Sequence, residues 1–300
     1  MEHGEKNKIG MEKRLNELSG KEWVRLTKSV WYEDGQNLPK DMEEALRQGI
    51  LLSEQPPRDP LKKQHPATFS ERDIEKLVKF FTKRGELVLD PFMGTGSAGI
   101  AALRLLRRFI GIELYPEWFN IAKQRLEKLA QSNMFLRDLY RLYLGDALTV
   151  LKNEIEDNSV DFIVTSPPYW NILKKVDRKA KTERVERNLK TDYGTEALDI
   201  GNIESYELFL STLEKYFGEM YRVLKRNGYI AVIVSDFRHK KRYYLFHADV
   251  AKLLENVGFT LQGLITLVQD NKRLYAYGYP TTFVPNISNQ FILIARKIED

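Results

Sequence analysis

The chain has 300 residues, 43% of them hydrophobic, enough to bury a core as one large domain or two small ones; it has no apolar run of membrane-spanning length and a charged N-terminus unlike a signal peptide, so a cytoplasmic protein is expected. The lack of cysteine excludes structural disulfides, thiolate metal sites and attack by a thiol, and no metal is implied. The formal charge of +5 is unevenly placed: residues 1–60 hold 10 Lys+Arg against 12 Asp+Glu, the rest 37 against 30, which suits a polyanion partner or an ordinary solvated surface.

Residues 1–62 read as an N-terminal extension that either helps to recognise a substrate or covers the core. Within it, Lys21–Tyr32 carries Trp23, Val24, Leu26, Val30 and Trp31 and should pack on something, Asp41–Leu52 reads as a helix, and Glu54–Pro60 as a linker. His65-Pro66-Ala67-Thr68 precedes a helix capped by Ser70, with Glu71 and Asp73 in its first turn and Ile74, Leu77, Val78 and Phe81 at helical spacing. Glu86–Asp90 is a strand, Pro91-Phe92-Met93-Gly94-Thr95-Gly96 the turn after it, and Ala98–Leu106 the next helix. Gly94 and Gly96 let the backbone approach a ligand at a strand's carboxyl end. No Lys-Ser/Thr follows them, so the turn is not a Walker loop.

A second strand, Phe109–Ile112, ends at Glu113, placed to accept from the two hydroxyls of a ribose. That acid would suit NAD equally, but the glycine spacing argues against it. Pro116 opens a helix through Leu129 with Trp118, Ile121, Leu126 and Leu129 as its apolar positions, and Leu142–Leu144 leads to Asp146. Val160–Val164 is a short buried strand followed by Thr165-Ser166-Pro167-Pro168-Tyr169-Trp170. Two prolines cannot donate ladder bonds, so the strand stops there and carbonyls are left free. The Ser166 hydroxyl and Pro167 carbonyl make a rigid acceptor pair suited to an amino group, and Tyr169 and Trp170 offer flat faces. The plain alternative is a proline turn followed by core aromatics.

Lys174–Lys190 holds 8 Lys+Arg against 3 Asp+Glu, including Lys174, Lys175 and Arg178. It reads as a flexible basic arm, about 171–203, that grips phosphates, or as a solvated loop. Tyr206–Leu224 is an amphipathic helix closed by a C-cap turn at Lys225–Gly228, and Tyr229–Val234 is a buried strand. Arg238–Tyr244 interleaves five basic or His residues, among them Arg238, Lys241 and Arg242, with two tyrosines. Helix Ala248–Val257 and strand Thr260–Val268 follow, then a second basic and aromatic stretch, Asn271–Tyr279, containing Tyr277. The last strand, Asn289–Ala295, is expected to pair antiparallel with its predecessor.

Asp90–Gly96 and Ser166–Tyr169 together resemble the motifs of the amino-methyltransferases that modify cytosine N4 or adenine N6 in nucleic acid, over roughly residues 63–300. The resemblance implies a Rossmann-like α/β fold of the S-adenosylmethionine-dependent methyltransferases, its sheet mostly parallel with an antiparallel C-terminal strand. It implies S-adenosyl-L-methionine as cofactor, held by His65, Thr68, Asp90, Pro91, Phe92, Gly94, Gly96, Glu113, Asp146 and Thr165, with Asp146 at the adenine amino group. It puts catalysis on Ser166, Pro167, Pro168 and Tyr169, the first two holding the target amino group and Tyr169 stacking on the flipped base. Trp170, Lys174, Lys175, Arg178, Arg238, Lys241, Arg242 and Tyr277 are then the expected nucleic-acid contacts.

The Ser form is most similar to the cytosine-N4 members. Without Cys, methylation of cytosine at C5 through a thiol adduct is excluded. DNA is the family default, with ribosomal RNA close behind because no large separate recognition domain stands out. The alternatives are adenine N6, a small-molecule or protein methyltransferase of the same fold, and a nucleic-acid-binding module without catalysis.

Overall fold

The computed structural model describes residues 14–33, 51–53, 70–170, 199–269, 274–278 and 280–298. His65, Thr68, Lys174, Lys175, Arg178, the 54–60 linker and most of the helix expected over 41–52 lie outside the described residues.

Nine strands form one sheet in the spatial order Leu51–Ser53 (β2), Val30–Glu33 (β1), Thr260–Val268 (β10), Asn289–Arg296 (β11), Leu224–Val234 (β7), Val160–Thr165 (β6), Leu87–Asp90 (β3), Arg108–Glu113 (β4) and Tyr140–Leu144 (β5). All neighbours are parallel except at β11, which runs antiparallel to both β10 and β7, as expected of the C-terminal strand. A separate hairpin joins Phe237–His239 (β8) to Arg242–Tyr244 (β9). The helices are Gly20–Leu26 (α1), Glu71–Phe81 (α2), Ser97–Arg104 (α3), Pro116–Gln131 (α4), Ala147–Glu154 (α5), Tyr206–Val223 (α6) and Phe246–Asn256 (α7). Among the described residues, no helix is long and apolar enough to cross a membrane.

The central strands are apolar on both faces because helices cover both, as parallel sheets require. The two-residue period of a strand then sorts side chains between two cores. In β6, Ile163 joins the core under α5, α6 and α7, while Phe162 and Val164 join the one under α2, α3 and α4. In β7, Ile230, Val232 and Val234 face the first core, and Ala231 and Ile233 the second.

Two local expectations are corrected, and a third gains its partner. Leu51–Ser53 is a strand, so no helix runs through to Leu52. Val30–Glu33 is a strand too, pairing with β10 and β2, so the segment read as an extension supplies an edge of the main sheet. Its Trp31 is 1% exposed, buried in the core with α2. Lys225–Gly228 belongs to β7 rather than capping α6, because Leu224 already pairs with Val160 and Lys297 bonds back to Asn227 and Gly228. Such partners lie far along the chain, beyond the reach of a local turn signal.

Candidate active site

Three neighbouring strands bring their carboxyl ends together: β3 at Asp90, β4 at Glu113 and β6 at Thr165. From β3 the chain crosses first to β4 and β5 on one side and then to β6 on the other. Such a switch point leaves a crevice above the strand ends. An open cleft enclosing about 870 Å³, solvent included, lies there. Its walls include Pro91, Phe92 and Gly94 from the first turn, Glu113 and Asp146, and Ser166, Pro167 and Pro168 from the second. The two turns that the sequence singles out therefore face one space.

The first turn is held from below. Asp90 is fully buried, and its Oδ1 accepts from the Phe92 amide at 3.1 Å and the Thr165 hydroxyl at 2.7 Å, which ties the two turns to each other. Glu113 accepts from the Gly94 amide at 2.8 Å and the Tyr115 amide at 2.9 Å. Buried Arg125 of α4 donates to the Thr95 carbonyl and pairs with Glu71 of α2. Gly96 opens α3 with φ 78°, and a Cβ there would lie 3.1 Å from that of Ala122, so a side chain would push α4 off the turn.

Asp90 and Glu113 are both pushed up to about 7, chiefly by burial. Between their ordinary values, 3.8 and 4.5, and about 7, the folded chain binds more protons than the unfolded one. Stability is then lost as pH rises through that window. The thermal midpoint of the ligand-free protein is expected to fall between pH 5 and pH 8, and to fall less in Asp90→Asn, whose side chain cannot ionise. Equal falls in a melting series of both proteins would remove Asp90 as a source.

Asp146 caps α5, its Oδ2 accepting from the Thr149 amide at 2.9 Å, while Oδ1 accepts from Tyr216 of α6 at 2.6 Å. Tyr216 and Phe92, ring centroids 5.5 Å apart, form an apolar wall between Asp146 and the first turn. On the opposite rim the Tyr115 hydroxyl donates to Asp199 at 2.6 Å. Asp199 and Ile200 belong to the far end of the expected basic arm, and they line this cleft. Gly201 lies against the second turn: a Cβ on it would come within 3.1 Å of the Tyr169 carbonyl.

Tyr169 is half-buried and is not part of the cleft's lining, its ring centroid 6.0 Å from that of Phe246. Its hydroxyl is bonded to the Ser235 backbone and the Gln290 side chain, and burial pushes its pKa up to about 12. Trp170, expected as an open stacking face, is only 6% exposed. Its indole N–H donates to the Ile203 carbonyl at 2.9 Å, and its ring packs against Tyr206, Phe237, His239 and Tyr244. Arg238 is half-buried on β8, Lys241 and Arg242 are exposed on the hairpin, and half-buried Tyr277 packs on Tyr275 with centroids 5.4 Å apart, lining no part of the cleft.

Tyr115, Arg125, Asp199, Tyr216 and Gln290 escaped the sequence reading. Asp199-Ile200-Gly201 has an Asx-cap pattern that could have flagged the first of its residues, since the Asp199 carboxylate accepts from the Gly201 amide at 2.8 Å. The others depend on partners remote in the chain. Among the described residues, no cluster of His, Asp or Glu could hold a metal ion.

The family model described as DNA methylase, of the N6/N4 type, matches residues 2–124 and 160–299. Similar proteins include the type II methyltransferases M2.DpnII of Streptococcus pneumoniae, 43% identical over 70 residues (23% of this chain, 26% of that protein), and M.Cfr9I of Citrobacter freundii, 43% identical over 63 residues (21% of each). The alignments thus span about a quarter or less of these relatives. Among solved structures, a SAM-dependent methyltransferase from Aquifex aeolicus is 16% identical over 80% of this chain and 94% of its own, with a TM-score of 0.43. A DNA modification methylase from Thermus thermophilus, so described, is 26% identical over 53% of this chain and 55% of its own, with a TM-score of 0.36. The α/β sheet, parallel but for its C-terminal strand, is that of the S-adenosylmethionine-dependent methyltransferases. Because the family match takes in both turns and nearly every strand of this sheet, the chain belongs to the N6/N4 DNA methylase family.

Proposed function

We propose that the chain methylates the exocyclic amino group of a base in DNA, cytosine N4 by preference, with S-adenosyl-L-methionine as donor. The observation that supports this reading is the shared cleft: the wall that could hold a cofactor and the acceptor pair of Ser166 and Pro167 face the same space. The residues present fit such a cofactor. Asp90 Oδ2 is buried with no hydrogen-bond partner among the described residues, an unmet acceptor suited to the ammonium of a methionyl group. Glu113 suits the ribose hydroxyls, and Asp146, beside the wall of Phe92 and Tyr216, suits the adenine amino group. When bound, the cofactor supplies a methyl group made electrophilic by its sulfonium.

The chain's own part is positioning. A base must leave its stack before its amino nitrogen can enter such a cleft. The Ser166 hydroxyl, which has no hydrogen bond to any described residue, and the Pro167 carbonyl accept the two N–H protons and stabilise positive charge growing on the nitrogen. Thr165 fixes this acceptor pair relative to the first turn through Asp90. Catalysis falls to residues 63–300, and the segment before them completes the sheet. The Ser-Pro-Pro-Tyr form favours cytosine over adenine, and the family's description favours DNA over ribosomal RNA.

The test is to incubate the purified protein with methyl-labelled S-adenosylmethionine and either DNA or ribosomal RNA, then digest to nucleosides for mass spectrometry. Label in N4-methylcytosine from DNA is expected. Label in N6-methyladenine would overturn the choice of base, label in RNA alone the choice of polymer, and no label in either the whole reading.

A further inference from the structure

The β8–β9 hairpin takes no part in the cleft. Its register pairs His239 with Arg242, which leaves Lys240-Lys241 as a two-residue turn. Turns of this length favour Gly, Asn or Asp where φ is positive. Lys240 occupies that conformation here, at φ 55°. Strain of this kind persists where surrounding structure holds it, and it collects at ligand sites.

The same turn lines an open cavity. His239, Lys240, Lys241 and Arg242 supply one side, Trp170 an apolar wall and Glu204 its acid. With His239 neutral, these side chains carry a net charge of +2. Lys240 and Lys241 have no ion-pair or hydrogen-bond partner among the described residues, and the Arg242 guanidinium lies 5.1 Å over the Tyr244 ring. Unpaired cations beside an apolar wall suit an anion carried on an organic chain. The wall also connects the cavity to the active site: Trp170 directly follows Tyr169, its ring is 4.7 Å from that of His239, and its indole N–H is anchored at Ile203.

We infer that this cavity is a phosphodiester site, which holds one backbone phosphate of the strand carrying the target base. The inference rests on the nucleic-acid reading above and adds to it a place where the polymer is held. Phosphate contacts carry no sequence information but set register. A phosphate pinned against Trp170, one residue from the second turn, fixes how far the strand must reach to deliver its base into the cleft.

The experiment measures binding of a fluorescent mixed-sequence DNA duplex at several salt concentrations without a methyl donor, for the wild type, for K240Q/K241Q and for K128Q, a change of an exposed lysine on α4. Losing one phosphate contact should make the slope of log affinity against log salt shallower by about one and weaken binding at low salt about tenfold. K128Q should leave both unchanged. If K240Q/K241Q matches a wild type that binds and methylates DNA, the site is refuted while the methyltransferase reading stands. An equal loss in K128Q would reduce the hairpin to one part of a general positive surface and refute it too. A wild type that binds neither duplex DNA, single-stranded DNA nor ribosomal RNA would overturn both. Melting curves of the variants, expected to match the wild type, keep a folding defect from standing in for a lost contact.

Discussion

Ser166→Ala is expected to lower the rate of methyl transfer by two orders of magnitude or more while binding of S-adenosylmethionine stays intact. On the proposed reading, the substitution removes one of the two acceptors for the target amino group and leaves the Pro167 carbonyl in place. Losing a single fixed partner of a developing charge costs about 10²–10³ in rate. The hydroxyl bonds to no described residue, so its removal leaves no buried group without a partner and the turn should keep its shape. Tyr169→Ala should act differently. On the proposed reading its ring is a stacking surface, worth about 1–3 kcal/mol per base, so the loss should fall mainly on KM for nucleic acid, by about ten- to a hundredfold. Steady-state kinetics with labelled donor, beside calorimetric titration of the cofactor, separates the two effects. Undiminished turnover in both variants would refute the assignment of the second turn, and loss of cofactor binding in Ser166→Ala would show a structural rather than a catalytic role.

The parts of the site visible in the sequence are those whose chemistry is local. A run of buried residues ending at an acid and a glycine turn marks β3, and the same logic marks β4 with Glu113. Two prolines after Val160–Thr165 can only end a strand, and β6 does end there. What stayed hidden needs a partner from elsewhere. Tyr216 on α6 reads as one more apolar position until Asp146, 70 residues earlier, is placed beside it. Trp170, next to the tyrosine expected to stack on a base, reads in sequence as a second stacking face, but aromatic rings from α6 and the β8–β9 hairpin close over it. Strand β1, second from the edge, was legible only as something that packs, because its partner β10 lies more than 200 residues away. Periodicity within a segment shows that a face is buried; it does not show what buries it.

Arg125 illustrates the same limit with the larger consequence for stability. Helical spacing in α4 gives Trp118, Ile121, Leu126 and Leu129 as inward positions; the first three are buried and Leu129 is half-buried. Arg125 goes inward with them at 5% exposure, where it pairs with Glu71 and donates to the carbonyl of Thr95 in the first turn. Arg125→Ala takes away the cation from a nearly buried carboxylate and leaves beside it Arg104, 3.5 Å away but 45% exposed. Breaking one side of a buried ion pair costs about 3–5 kcal/mol, and urea unfolding should show a loss of that size. The Thr95 carbonyl loses its donor as well, so the turn loosens and affinity for S-adenosylmethionine should fall. Adding Glu71→Gln to the variant removes the stranded charge, so stability should partly recover while affinity does not, since the Thr95 carbonyl still lacks its partner. A loss below about 1 kcal/mol in Arg125→Ala would be no more than an exposed ion pair is worth, and would contradict this role for the buried pair.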